Sequence, residues 1–225
     1  MQLQIADITL ELLQEKAVWI ASLHTLLLSD THFGKAGHFR RAGIPVNESV
    51  HEKDYRILRG LLSRYQPKQV FFLGDLFHSE WNEQWEALQS FLRQFAATSF
   101  HLIKGNHDVL PESAYTSSEL QVWEAPFRLK NLLLCHEPLA GVPSQLLQVC
   151  GHIHPGITLR GKGRQRLKMP CFLFRRNTII LPSFGAFTGL FNIQPEKEDR
   201  IFLVTPTKVI PMNLVDKVGL VASSG

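Results

Sequence analysis

Seven short apolar runs constrain this chain more than any other feature. They are "HTLLLSD" (24–30), "VFFLGD" (70–75), "SFHLIKGNHD" (99–108), "NLLLCHE" (131–137), "LQVCGHIH" (147–154), "NTIILPS" (177–183) and "RIFLVTP" (200–206). Their apolar residues are nearly continuous rather than alternating, which predicts strands covered on both faces. Helical patterns lie between some of them. Trp81, Trp85, Leu88, Leu92 and Phe95 recur on one helical face, with Ser79 as the expected cap and the tryptophans as expected core. Val50, Asp54, Ile57, Leu58, Leu61, Leu62 and Tyr65 predict a second helix, entered near Asn47 and ended before Pro67. Helices and strands alternate early and strands dominate late. That order predicts an α/β fold of two packed sheets with outer helices.

At 225 residues and 44% hydrophobic, the chain can fill one sizeable core, and no linker-like stretch divides it, so residues 1–225 are expected to form a single domain. The start, "MQLQIADITLELL", lacks a basic leader, and the longest apolar run is too short and too polar to span a membrane. Cys135, Cys150 and Cys171 show no paired spacing, so no disulfide framework is expected. A cytoplasmic protein with no membrane role follows as the expectation.

Charge is mild overall (+4) but unevenly placed. No acidic residue lies between Glu137 and Glu196, while that stretch carries Arg160, Lys162, Arg164, Arg166 and Lys168. Lys35, Arg40 and Arg41 fall in a second acid-free stretch, between Asp30 and Glu48. Such segments are either solvated loops or landing surfaces for phosphates, for which arginine forks are well shaped.

The polar residues that end the runs are metal donors. Asp30 and His32 follow the first run; Asp75, Asn106, His136, and His152 with His154 follow four others. Gly74, Gly105 and Gly151 immediately precede three of these groups, where a missing side chain permits close approach. In open α/β sheets, ligands gather beyond the carboxyl ends of strands. Carboxylate, carboxamide and imidazole donors suit manganese, iron or zinc. Seven donors exceed the needs of one four-coordinate zinc. They suit two ions sharing a carboxylate, a pair that can clamp a phosphate and activate a water for in-line attack.

In this order, D-x-H, G-D, G-N-H-D, H and G-H-x-H, the residues resemble the calcineurin-like metallophosphoesterase superfamily. The resemblance implies a four-layer αββα sandwich of two mixed sheets. It implies that Asp30, His32 and His154 hold one metal, Asn106, His136 and His152 the other, and that Asp75 bridges. His107 would be the general acid, oriented by Asp108. "GDLFHSE" departs from the usual pattern by lacking a following glycine, and supplies His78 as either a ligand-orienting residue or a surface histidine. The blocks "DTHFGKAGHFRRAGIPV" (30–46), "LCHEP" (134–138), "LRGKGRQRLKMPCF" (159–172) and "LPSFGAFTGL" (181–190) are similar to the ligase-associated DNA damage response endonuclease group, of PdeM type. That likeness implies a phosphodiesterase or nuclease working in DNA repair with an ATP-dependent DNA ligase, a helicase and an exonuclease; of the metals the donors suit, manganese is the expected pair, with iron or zinc the alternatives. A phosphomonoesterase shares the same ligands, and a non-catalytic interaction module on this fold is the third reading.

Overall fold

The computed structural model describes residues 1–35, 49–78, 81–161, 165–186 and 188–212. The first sheet opens with an antiparallel meander, β1 (Gln2–Ile5), β2 (Ile8–Leu12), β3 (Val18–Ile20) and β4 (Thr25–Leu28). It continues in parallel through β5 (Gln69–Leu73), β6 (Ser99–Ile103) and β7 (Leu120–Trp123), in simple sequential order. Alternation assigns each side chain a layer. Leu26, Leu28, Val70, Phe72, Phe100 and Leu102 face the helices, whereas Leu27, Phe71, Leu73 and Ile103 face the second sheet.

The helical layer supplies the other half of that outer core. In α1 (Ser49–Tyr65), Leu58, Leu61 and Leu62 are buried, and the helix stops at Gln66, whose backbone is left-handed, before Pro67. Helix α2 (Glu83–Leu92) is capped by Asn82, whose side chain accepts a hydrogen bond from the Gln84 N–H at 2.9 Å. The expected cap, Ser79, lies outside the described residues. Trp85, Leu88 and Leu92 are buried as the periodicity requires and Phe95 is partly so, but Trp81 is 52% exposed. It precedes the cap, so the helical period does not carry it inward. A short α3 (Glu112–Thr116) adds buried Tyr115.

The second sheet is also mixed. It contains β8 (Phe127–Leu129), β9 (Leu132–Leu134), β10 (Leu147–Cys150), β11 (Pro155–Arg160), β12 (Arg166–Arg175), β13 (Thr178–Ile180), β14 (Phe191–Asn192), β15 (Arg200–Val204) and β16 (Val209–Met212). Strands β9, β10 and β13 run parallel at its centre. Leu132, Leu134, Val149, Phe172, Ile179 and Phe202 meet the first sheet to form the sandwich interior. Cys135, Cys150, Cys171, Leu173, Ile201 and Leu203 form a further core on the opposite face, and all three thiols are free and fully buried. Each fully buried leucine or phenylalanine contributes about 1.5–3 kcal/mol. All seven apolar runs are strands. No described helix is long and apolar enough to cross a membrane.

Candidate active site

Parallel register brings the donor residues to one edge. Leu28 pairs with Phe72, and Leu73 with Ile103, so the chain leaves β4, β5 and β6 at nearly one level. Asp30, Asp75 and Asn106 follow directly. On the second sheet, β9 and β10 are parallel with Leu134 opposite Val149, which sets His136 beside the 151–154 turn. Gly151 N–H donates to the His136 carbonyl at 2.9 Å and fixes that neighbourhood.

The backbone there is unusual. Asp30, His32, Asp75, His152 and His154 all have φ between +48° and +67°. Side-chain-bearing residues rarely adopt this left-handed region, and each such residue costs about 1–3 kcal/mol. Surrounding bonds hold the turns in place. Asp30 N–H donates to the Gly74 carbonyl at 3.1 Å, His32 N–H to the Asp75 carbonyl at 2.9 Å, and His152 N–H to Asp30 Oδ2 at 3.0 Å. All three flanking glycines are required by crowding, and a Cβ on Gly74 would overlap the His136 ring. A Cβ on Gly105 would lie 2.5 Å from Asp75 Oδ1, and one on Gly151 would overlap Asp30 Oδ2.

Two groups of side chains that could hold a metal ion result, Asp30 with His32 and His154, and Asp75 with His136 and His152. In the first, His154 Nε2 lies 3.1 Å from Asp30 Oδ1. In the second, His136 Nε2 lies 3.3 Å from Asp75 Oδ1, 3.0 Å from Asn106 Oδ1 and 3.1 Å from His152 Nδ1. Asp75 stands between the groups, since its other oxygen, Oδ2, is 3.8 Å from His32 Nε2. All seven expected donors therefore converge, with Asp30, His32, Asp75 and His136 buried and Asn106 and His152 on the open side.

The donors fit metal ions on chemical grounds. His32 is 2% exposed, and neither of its ring nitrogens has a hydrogen-bond partner among the described residues. Burial lowers its pKa to about 3, with only partial opposition from Asp75, so the imidazole is neutral and its lone pair available. His136 Nδ1–H donates to the Leu73 carbonyl at 2.9 Å, which aims Nε2 at three other acceptors. Such converging lone pairs need a cation between them. Without a metal, a proton serves. Burial lowers the His136 pKa, but the Asp75 carboxylate outweighs it and raises the pKa to about 9. For Asp75, burial acts upward and is overcome by His136 and the His107 N–H, leaving a pKa of about 2.

Asp108 acts differently from expectation. Its carboxylate accepts hydrogen bonds from the backbone N–H groups of Asp75, Leu76, Phe77 and Gly105, at 2.8–3.2 Å. Those four bonds saturate it, and none described joins it to the His107 ring. Asp108 ties the 105–108 turn to the 75–77 turn and so positions His107 through the backbone. His107 N–H in turn donates to Asp75 Oδ1 at 2.9 Å. His78 is half-buried, with its ring centroid 4.1 Å from that of His107 and 5.1 Å from that of His32, so it borders the site rather than lying on open surface.

The phosphate-contact candidates divide. Lys35 is half-buried beside the donors, where burial lowers its pKa and the Asp75 charge opposes that shift. Arg160 and Arg166 sit opposite each other at the far end of β11 and β12. Arg40, Arg41, Lys162 and Arg164 lie outside the described residues.

Sequence reasoning missed the support beneath Asp30. Phe184 N–H donates to the Ser29 carbonyl at 2.9 Å; Gly185 N–H and Ser183 Oγ donate to the Asp30 carbonyl at 3.1 and 2.9 Å. The Asp54 carboxylate accepts from Ala186 N–H at 3.2 Å and ties this loop to α1. The block 181–190 was the available signal.

The calcineurin-like phosphoesterase family profile matches residues 23–168. Among solved structures, the Pseudomonas putida nuclease MPE is similar over 94% of this chain and 99% of that one, with 29% identity and a TM-score of 0.80. Yfce, a phosphoesterase from E. coli, aligns over 81% of this chain and 88% of that one, with 16% identity and a TM-score of 0.41. No curated protein matches the sequence. With well over half of the sequence matched, the site included, the chain belongs to the calcineurin-like phosphoesterase family.

Proposed function

We propose that the chain is a two-metal phosphodiesterase acting on nucleic acid, with manganese the first candidate and iron or zinc the alternatives. The observation that carries this reading is Asp75, whose two oxygens face His136 and His32 in separate donor groups. Asp30, His32 and His154 would hold one ion, and Asn106, His136 and His152 the other, with Asp75 shared. Bound there, the ions would supply positive charge for phosphate oxygens and for activation of a water.

The chain's own residues supply the rest. Asn106 and His152, on the open side, mark where a substrate enters. His107 stands beside them and delivers a proton to the leaving alkoxide. Asp108 keeps His107 in place by holding its turn. Lys35 contributes positive charge at the rim. Similarity to the Pseudomonas putida nuclease and the acid-free stretch 138–195 favour a polyanionic diester over a monoester. Roles in DNA repair beside a ligase, helicase and exonuclease rest on the resemblance of the sequence blocks alone.

Metal-stripped protein reloaded with manganese, iron or zinc should hydrolyse an activated phosphodiester well above the matched monoester. A strong monoester preference contradicts the reading.

A further inference from the structure

The hairpin of β11 and β12 is not explained by the metal site. In β12, Phe172 and Phe174 pack toward the sandwich interior, while Cys171 and Leu173 belong to the opposite face. Alternation therefore carries Lys168 and Arg166 onto the inner side. Their cross-strand partners, Thr158 and Arg160, share it. Both sheets deliver their metal donors at one edge, and β11 begins there, directly after His154.

The base of the hairpin is anchored to the 190–192 segment. Thr158 Oγ1 donates to Asn192 Oδ1 at 2.8 Å, and the Lys168 ammonium donates to the Leu190 carbonyl. Beyond them, Arg160 and Arg166 are exposed and directly opposed. Like charges in that relation repel and destabilise the pair. Among the described residues neither guanidinium has an ion pair or hydrogen bond, and the surrounding sequence from 138 to 195 offers no acid to relieve them. An opposed, uncompensated pair of arginines on the hairpin that leaves His154 is complementary to an anion supplied from outside.

We propose that this hairpin is an arm that holds the phosphodiester backbone of a polynucleotide away from the cleaved bond, with Arg160 and Arg166 as its phosphate contacts. The inference rests on the nuclease reading and narrows its substrate. A strand rise of about 3.4 Å per residue places Arg160 up to about 17 Å beyond Pro155. That distance is about five phosphates along one strand of a duplex. A dinucleotide or a cyclic diester is too short to reach both places, so the favoured substrate is a chain of several nucleotides.

The test is binding of labelled phosphorothioate oligonucleotides to the metal-loaded protein across a range of salt, read by fluorescence anisotropy. Replacing both arginines, Arg160→Glu with Arg166→Glu, should weaken binding of a long oligonucleotide at least tenfold. It should also reduce the slope of log affinity against log salt by about 1.4–1.8, the value for two lost phosphate contacts. The Arg160→Lys, Arg166→Lys pair should keep the slope, because the charge remains. Thermal unfolding shows whether the glutamate pair keeps its fold; if it does not, the alanine pair gives the same reading. Unchanged affinity and slope, or an equal loss for a dinucleotide, would overturn the arm. Hydrolysis of a small activated diester by the unaltered protein tests the nuclease reading separately. No hydrolysis together with the expected loss of slope would sink that reading and leave the arm standing.

Discussion

Single residues at the centre are held in conformations that side-chain-bearing residues seldom adopt, and the turns survive because other groups lock them. Asp108 is the clearest lock. Replacing it with Asn turns an amide donor toward backbone donors, and should cost about 2–4 kcal/mol in urea unfolding, because buried N–H groups lose their acceptors. Gly151→Ala forces a methyl group onto Asp30 and the buried Ser29, and should weaken metal binding about 10–100-fold, as read by calorimetry, with a loss of stability of about 1–3 kcal/mol. The protonation of His136 gives a pH dependence. Its Nε2 must lose a proton to bind a metal, and its pKa is about 9 in the metal-free protein. Affinity should therefore rise about tenfold per pH unit up to that value. Calorimetry at pH 7 in buffers of different ionisation enthalpy should show proton release; its absence contradicts the assigned ligand. In the metal-free protein the sign differs for each partner. Asp75 stabilises above 3.8 and loses its contribution as pH falls to about 2, whereas His136 stabilises below 6.5 and loses its contribution as pH rises through about 9. At this scale the donors were legible in the sequence because each ends an apolar run. The part played by Asp108 was not, because backbone acceptor sites leave no sequence pattern.

The elements that carry the donors were readable for the same reason that they are stable. Strands β4, β5, β6, β9, β10, β13 and β15 are covered on both sides, so they read as unbroken apolar runs. The first two strands and the β11–β12 hairpin did not, since partly exposed strands mix polar and apolar residues. Pro170 also interrupts β12; it pairs with Gly156 at a level where β15 has not yet joined. Proline is tolerated where its missing N–H faces no partner strand. Trp81 showed the opposite error, a periodic match lying outside the helix. The contact between α1 and the 181–186 loop makes a prediction about elements. Asp54→Ala leaves the Ala186 N–H without its acceptor and should destabilise the fold by about 1–3 kcal/mol. Because that loop bears on the Asp30 carbonyl, metal affinity should fall in the same variant. Unchanged affinity would mean that the loop does not support the site.

Over the whole molecule, two sheets meet so that one supplies Asp30, His32, Asp75 and Asn106 and the other His136, His152 and His154. Neither sheet holds enough donors for two ions on its own. On the proposed assignment, assembly of the sandwich and assembly of the metal centre are one event, and bound metal should raise the unfolding temperature with the logarithm of its concentration over its dissociation constant. The most direct measurement is the metal stoichiometry and diesterase activity of metal-stripped protein titrated with manganese, for the unaltered chain and for Asp75→Ala. Two ions per chain, with hydrolysis of an activated phosphodiester appearing as both bind and vanishing in Asp75→Ala, is the predicted result. A single ion at full activity, or hydrolysis that persists without Asp75, would contradict a shared two-metal centre.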